Sequence, residues 1–527
     1  MPGLSFQYQK PINNVSPQRM DVACFVGLID VRVEVDNPDI NRWLNQQSWL
    51  NYNGHTATYH RETAVQLRDV PIPIESWQQF EQMFQWNQRT LLEGITGVCY
   101  LASAVHSFFA QGGRFCYVIA MGSPLTLDAP RNERETLLAS IIPGYPGVIS
   151  SNPFDRINWH GIGHVLGLPD VTLLSLPDLP DLVSSEQINL DIDLPVIDTD
   201  SNEQFVICSV PVIPAPVDNL SQSIPAPTCD LEGYGKWANS IHQLAQFISR
   251  HRRDIQLVAS IPLADEGSLG SSDLLKLMHQ QGWLNNDLDS PSSISSSFVQ
   301  LCYPWINTSQ SSALAQGVEP PEGALCGLLA RNAISRGAYR AVTELAQNDI
   351  KGIYPELSRA QRQSLYPGSA DTASPKAALI ERVSLFGYGT EGIDLLSDVT
   401  TSNQTAHRPA NINRIITMVI RSSRHLGEEY TFETNGERLW ALITQRLNAL
   451  LRLLFDLGAL RGKNPTDAFN VTCDRNTMTQ QDLDSGRVIV QIQFNPASSI
   501  ESIEVLLQMQ QSAATSISAP NKEQAVA

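Results

Sequence analysis

The chain has 527 residues, 42% of them hydrophobic and 17% charged, with a formal net charge of −18. That length suits two to four domains, and the composition is globular, neither disordered nor membrane-spanning. The acidic balance excludes a general nucleic-acid binder, and no apolar run reaches the ~18–20 residues needed to cross a bilayer.

The first ten residues, Met1-Pro-Gly-Leu-Ser-Phe-Gln-Tyr-Gln-Lys10, lack the basic-then-apolar layout of a signal peptide, so folding in the cytoplasm is expected. Leu4, Phe6 and Tyr8 alternate there with Ser5, Gln7 and Gln9, which is strand spacing. Residues 22–29 read as a buried strand, and residues 36–90 are rich in Trp, Asn and Gln, with Pro71 and Pro73 as breakers. From Gly97 the pattern becomes α/β. A helix over 98–110 places Leu101, Val105 and Phe108 or Phe109 on one face, and Gly112-Gly113 ends it. Strands follow over 115–120 and 171–176, then a helix over 236–252 carrying Trp237, Ile241, Leu244, Ala245 and Ile248 on one side, then a strand over 255–261. Helices alternating with short apolar strands predict an open, partly parallel sheet.

Residues 151–230 hold twelve carboxylates and a single arginine, Arg156, with Pro-rich runs at 210–216 and 224–227. They read as a solvated surface insertion. Further soft regions lie at 267–297, around a short helix at 273–280, and at about 357–376, and the chain turns compact again from Val383. A long helix spans Glu437 to Asp456, its start marked by Thr434-Asn-Gly-Glu437 as a capping box. Trp440, Ile443, Leu447, Leu450, Leu451 and Leu454 form its apolar stripe, and Arg438, Gln445, Arg446 and Arg452 fall largely outside it. From 412 to 461 there are seven arginines and no lysine. A polar turn (473–487) leads to strands at 488–494 and 503–509. Ile503, Val505, Leu507 and Met509 share one face of the second, and 511–527 reads as a frayed tail.

Chemistry is sparse. None of the eight cysteines sits in a C-x-x-C pair, so buried free thiols are expected. His160 and His164 flank Gly-Ile-Gly, which opposes the helix a zinc pair needs, and Gly161-Ile-Gly163 lacks the third glycine of a dinucleotide fingerprint. There is no P-loop and no G-x-S-x-G elbow. Asp191, Asp193, Asp198 and Asp200 read as solvated charge. No catalytic residue, cofactor or metal ligand is therefore expected.

Five ordered segments resemble the contractile tail sheath family of contractile-tailed phages and phage-tail-like injection particles. Leu101-Ala-Ser-Ala-Val-His-Ser-Phe-Phe-Ala-Gln-Gly-Gly-Arg-Phe-Cys-Tyr-Val118 is similar to its helix ending F-F-x-N-G-G before a strand. Asp170-Val-Thr-Leu-Leu-Ser-Leu-Pro-Asp178 resembles its strand ending P-D or P-G, and Phe298-Val-Gln-Leu-Cys-Tyr-Pro-Trp-Ile306 its A-x-Y-Y-P-W segment. Pro320-Pro-Glu-Gly-Ala-Leu-Cys-Gly-Leu-Leu-Ala-Arg331 resembles P-P-S-G-x-x-A-G-x-x-A-R. Cys473-Asp-Arg-Asn-Thr-Met-Thr-Gln-Gln-Asp-Leu-Asp-Ser-Gly-Arg487 is close to C-D-x-x-T-M-T-Q-x-D-I-D-N-G-R.

The resemblance implies an α/β (α+β) multi-domain sheath fold whose core domain is built from both chain ends around inserted outer domains. The divisions expected are an extension and first strand over 1–30, outer domains over 31–380, a C-terminal tube-facing core over 381–510 and a tail over 511–527. It implies a structural subunit, not an enzyme, that stacks on itself in six-fold rings around an inner tube protein, meets baseplate and cap proteins, and contracts. It binds no nucleic acid and inserts in no membrane. Leu4, Phe6, Tyr8, Ile503, Val505, Leu507 and Met509 are the expected strand-exchange positions, and Arg438, Arg446 and Arg452 the expected tube contacts. A non-contracting cap or baseplate-proximal adaptor and an α/β hydrolase-type enzyme are the competing readings.

Overall fold

The computed structural model describes residues 19–32, 38–49, 67–92, 94–147, 155–185, 220–265, 274–284, 293–343, 345–363, 378–389 and 392–497, with the backbone of 503–509 and 516–518. Leu4, Phe6, Tyr8, Cys208 and the Asp191–Asp200 carboxylates lie outside the described residues.

Eight strands build the main sheet: β1 (Ala23–Gly27), β2 (Pro71–Ile74), β3 (Cys116–Ala120), β4 (Leu173–Ser175), β5 (Gln256–Ser260), β6 (Val299–Tyr303), β7 (Ser384–Tyr388) and β8 (Ile393–Leu395). Their order is β8-β7-β6-β5-β4-β1-β3-β2. The six strands from β7 to β3 are parallel, with β8 and β2 antiparallel at the edges. Every residue of β1, β3, β4, β5 and β6 is buried. Near-continuous apolar strands of this kind need cover on both faces, which parallel crossovers supply. Pro71 and Pro73 stand on the edge strand β2, the position where a missing N–H is tolerated.

Among the covering helices are α1 (Tyr100–Ala110), α2 (Leu231–His251) and α3 (Glu322–Ser335). Gly112, at φ +102°, ends α1 as the sequence predicts. A Cβ at Gly323 would lie 2.2 Å from the Ala104 carbonyl oxygen, and one at Gly327 would lie 2.5 Å from that of Phe108. The G-x-x-x-G spacing thus lets α3 press onto the backbone of α1.

The C-terminal unit contains α4 (Ala410–Glu429), α5 (Glu437–Asp456), α6 (Gln480–Asp484) and the antiparallel sheet β9 (Phe469–Thr472), β10 (Val488–Phe494), β11 (Ile503–Met509) and β12 (Ser516–Ser518), paired in that order. It has its own core: Ile412, Ile415, Val419 and Ile420 of α4, the stripe of α5, and Val490, Ile492 and Phe494 of β10. A separate continuous core runs from Val22 to Leu395.

The mixed α/β class stands. β1, expected beside the C-terminal core, lies inside the main sheet, and the 380/381 boundary falls within that sheet, because β7 pairs in parallel with β6. The change of core lies between 395 and 412. Residues 155–185 and 220–230 are also not a solvated insertion. Asp170, Asp178 and Asp181 are buried, held by Tyr117, by the Leu28 N–H and by Arg89 respectively. The seven cysteines among the described residues are all buried free thiols. No helix among the described residues is long and apolar enough to cross a membrane.

Candidate functional site

An open α/β sheet offers a ligand crevice where its strand order reverses, at the carboxyl ends of the strands. Here that point lies between β1 and β4, since β3 lies beyond β1 and β5, β6 and β7 lie beyond β4. It is filled. The Asp178 carboxylate accepts the Leu28 N–H at 2.7 Å and occupies the place where a side chain at Gly27 would go. Arg89 pairs with Asp181 at 2.5 Å beside it, and its guanidinium lies over the ring of Tyr100. Burial raises the Asp178 carboxyl to about 7, against the Leu28 hydrogen bond and Arg89. Glu322, opening α3, accepts the Ser260 N–H at 2.6 Å and is raised by burial to about 7. Glu319 accepts from Ser107 on α1 and is raised by burial to about 8. The P-D and P-P-E-G motifs are thus internal fastenings: buried carboxyls that accept backbone N–H groups under α1 and α3.

His160 and His164 stand on a 3-10 turn, as the flanking glycines suggest. They share a partner that sequence spacing does not reveal, Asp69, at 2.8 Å and 2.9 Å, with the Gly161 N–H also at 2.9 Å. Burial opposes its charge, but the hydrogen bonds from His164, His160 and Gly161 prevail and hold its carboxyl down to about 2.

The surface features concentrate on the C-terminal unit. α5 spans its expected residues, with Trp440, Ile443, Leu447, Leu451 and Leu454 buried and Leu450 half-buried. Its expected capping box does not form. Gly436 is the N-cap, with no side-chain cap, and Asn435 instead accepts the Trp440 indole N–H at 2.8 Å. Arg438, Arg446 and Arg452 are all exposed. Arg438 and Arg452 lie within about 40° of each other and about 21 Å apart along the axis, whereas Arg446 stands about 80° round from Arg438. The helix therefore brings two of the three onto one face.

The Cys473–Arg487 motif is a fastening that aims β10. Asp474 accepts the Asn476 and Thr477 N–H groups, and the Thr477 hydroxyl donates to the Ile489 carbonyl. A capping box does form here, between Thr479 and Asp482, and Arg487 pairs with Asp482 at 3.2 Å. An open groove between this turn and α5 is lined by Trp440, Thr444, Asn448 and Cys473.

β11 pairs with β10 of its own chain along its whole length, Val488 opposite Met509 and Phe494 opposite Ile503. Ile503, Val505, Leu507 and Met509 stand at alternate positions along that strand, opposite Phe494, Ile492, Val490 and Val488.

Three of the seven arginines counted along 412–461 face inward. Arg414 pairs with Asp398 at 2.6 Å and donates to the Ala338 and Arg340 carbonyls. Arg421 and Arg424 reach Asp254 at 3.2 Å and 3.0 Å, where Arg252 also pairs at 3.0 Å. Burial disfavours the Asp254 charge, but the three guanidiniums prevail and keep its carboxyl well below the usual range. These ion pairs pin the C-terminal unit to the main sheet. The signal for them was the arginine-without-lysine composition, since buried multidentate pairing favours Arg.

Residues 402–510 match the family model of the phage tail sheath C-terminal domain. Three solved structures share the fold over nearly the whole chain. A chain of the anti-feeding prophage baseplate in its contracted state has TM-score 0.57 at 16% identity, covering 99% of this chain and 99% of that one. A chain of the anti-feeding prophage helical sheath in the contracted state has TM-score 0.51 at 16% identity, covering 95% and 97%. The PVC sheath complex of an extracellular contractile injection system, also contracted, gives 0.50 at 14% identity, covering 94% of each. No curated protein sequence matches the chain.

Proposed function

We infer that this chain, a tail sheath family protein through residues 402–510 with a sheath fold along its length, is a structural subunit of a contractile sheath. It polymerises on itself around an inner tube, is held in an extended state and contracts to drive the tube forward. The observation that carries the reading is the sheath-family match, and it falls on the unit whose small sheet is completed from beyond residue 497.

A lone chain satisfies the open edge of β10 by folding back its own β11. In a polymer, the same residues from a neighbour make the same hydrogen bonds in the same register, an exchange that links copies at little cost. Ile503, Val505, Leu507 and Met509 are the positions assigned to it, and Leu4, Phe6 and Tyr8 form a second exchanging strand. The subunit needs no catalytic residue or cofactor, because the work comes from relaxing contacts between copies. Assembly takes place in the cytoplasm, and the partners are the inner tube, the baseplate and the cap.

Arg438, Arg446 and Arg452 grip acidic residues of the tube. Exposed ion pairs are worth ~0–1 kcal/mol each, which suits a grip that must release. Reversing all three to Glu is expected to abolish co-sedimentation with the tube protein while leaving the monomer folded. Co-assembly at the wild-type level would refute the grip.

A further inference from the structure

The α4–α5 hairpin is a bar with unlike ends. At one tip, the turn between the helices exposes Phe432 completely, and Glu428, Glu429 and Glu433 are exposed around it. Glu437 completes the acidic tip, 3.7 Å from Arg475. At the other end, Leu453 and Leu457 are each 47% exposed, next to the exposed Arg461 and Lys463, with Asp456 and Asp467 exposed beside them. The two ends are about 30 Å apart, the length of a twenty-residue helix. Among the described residues, Glu428, Glu429, Glu433, Arg461 and Lys463 have no ion pair within the chain. Large exposed apolar side chains, set among mainly acidic groups at one end (with Arg438 and Arg475 beside them) and mainly basic groups at the other, mark contact surfaces.

We propose that the acidic, Phe432-bearing tip of one copy docks on the Leu453–Leu457, Arg461 and Lys463 end of a second copy of this chain, head to tail. The patches differ and lie at opposite ends of the bar, so a head-to-tail contact is heterologous and repeats from copy to copy, closing a ring or extending a helix. The proposal rests on the sheath reading, which supplies a polymer for the contact to repeat in. It is separate from β11 exchange, which uses backbone hydrogen bonds, and it adds side-chain selection of orientation.

The test is a charge swap, read by negative-stain microscopy and sedimentation of full-length protein with its tube protein. Glu429→Lys/Glu433→Lys and Arg461→Glu/Lys463→Glu, made separately, are each expected to give folded monomer by circular dichroism and gel filtration and to lose sedimenting tubes. Combining the four substitutions is expected to restore tubes, and Phe432→Ser alone to cut the tube yield several-fold. Wild-type-level tubes from both separate variants overturn the contact while leaving the sheath reading intact, because tubes still form. A four-fold variant that stays dispersed, although each half folds, overturns the pairing of these two ends. Wild-type protein that makes no tubes counts against the sheath reading itself.

Discussion

Five carboxyls pull the stability of this protein in opposite directions as pH changes. Asp178, Glu319 and Glu322 are buried, and burial raises them to about 7, 8 and 7. The folded chain therefore holds protons that the unfolded chain releases near pH ~4, and each tenfold gain in proton affinity on folding corresponds to about 1.4 kcal/mol. Their contribution is fully present below about pH 4 and is lost as pH rises through about 7 to 8. Asp69 and Asp254 act the other way: both are depressed by their partners, and their contribution is lost as pH falls below the usual carboxylate range. Urea unfolding at pH 5 and at pH 8 is expected to show the wild type weaker at pH 8. The triple variant Asp178→Asn, Glu319→Gln, Glu322→Gln should flatten that difference, and an unchanged slope would show that these groups do not titrate across the interval. None of this was legible from local sequence. Asp178 meets Leu28 across 150 residues, and Asp69 meets His160 across 91.

At the level of elements, α3 packs backbone to backbone on α1. Gly327→Ala would place a Cβ 2.5 Å from a backbone oxygen of α1, and the helices would have to part. A loss of about 1–3 kcal/mol is expected, as for other overpacked cores. Gly235→Ala on α2, where nothing lies within 4 Å, is the control, and it should gain about 0.5–1 kcal/mol from helix propensity. Equal thermal shifts for the two would contradict the packing account. Elements of this kind were the most legible part of the chain. α5 ends where its 3.6-residue stripe ends, and β10 and β11 match their period-two runs. The α5 cap was misread because Thr434-Asn-Gly-Glu437 has the right letters, yet the helix starts from an extended Gly436 and Asn435 turns to the Trp440 indole. The Thr479–Asp482 box fits the same rule with an acid one carbon shorter.

Over the whole molecule, the sequence patterns pointed to the right class. A composition change near 380 looked like a domain boundary, but strand pairing is non-local: β7 joins β6, some eighty residues earlier, and the second core starts only at α4. Six of the seven arginines along 412–461 form two groups. Arg414, Arg421 and Arg424 fasten the two cores through Asp398 and Asp254, and Arg438, Arg446 and Arg452 stay exposed. Asp254 is fully buried among its arginines, so the pins oppose bending between the cores, since breaking a buried pair by removing one partner costs about 3–5 kcal/mol. On the proposed sheath function, motion on contraction is then expected at the links between copies.

The most direct measurement compares full-length protein with a variant lacking residues 500–510, each mixed with the tube protein and viewed by negative-stain microscopy. The account predicts contractile tubes from the full chain and dispersed, soluble monomer from the deletion. Normal tubes from the deletion would contradict it.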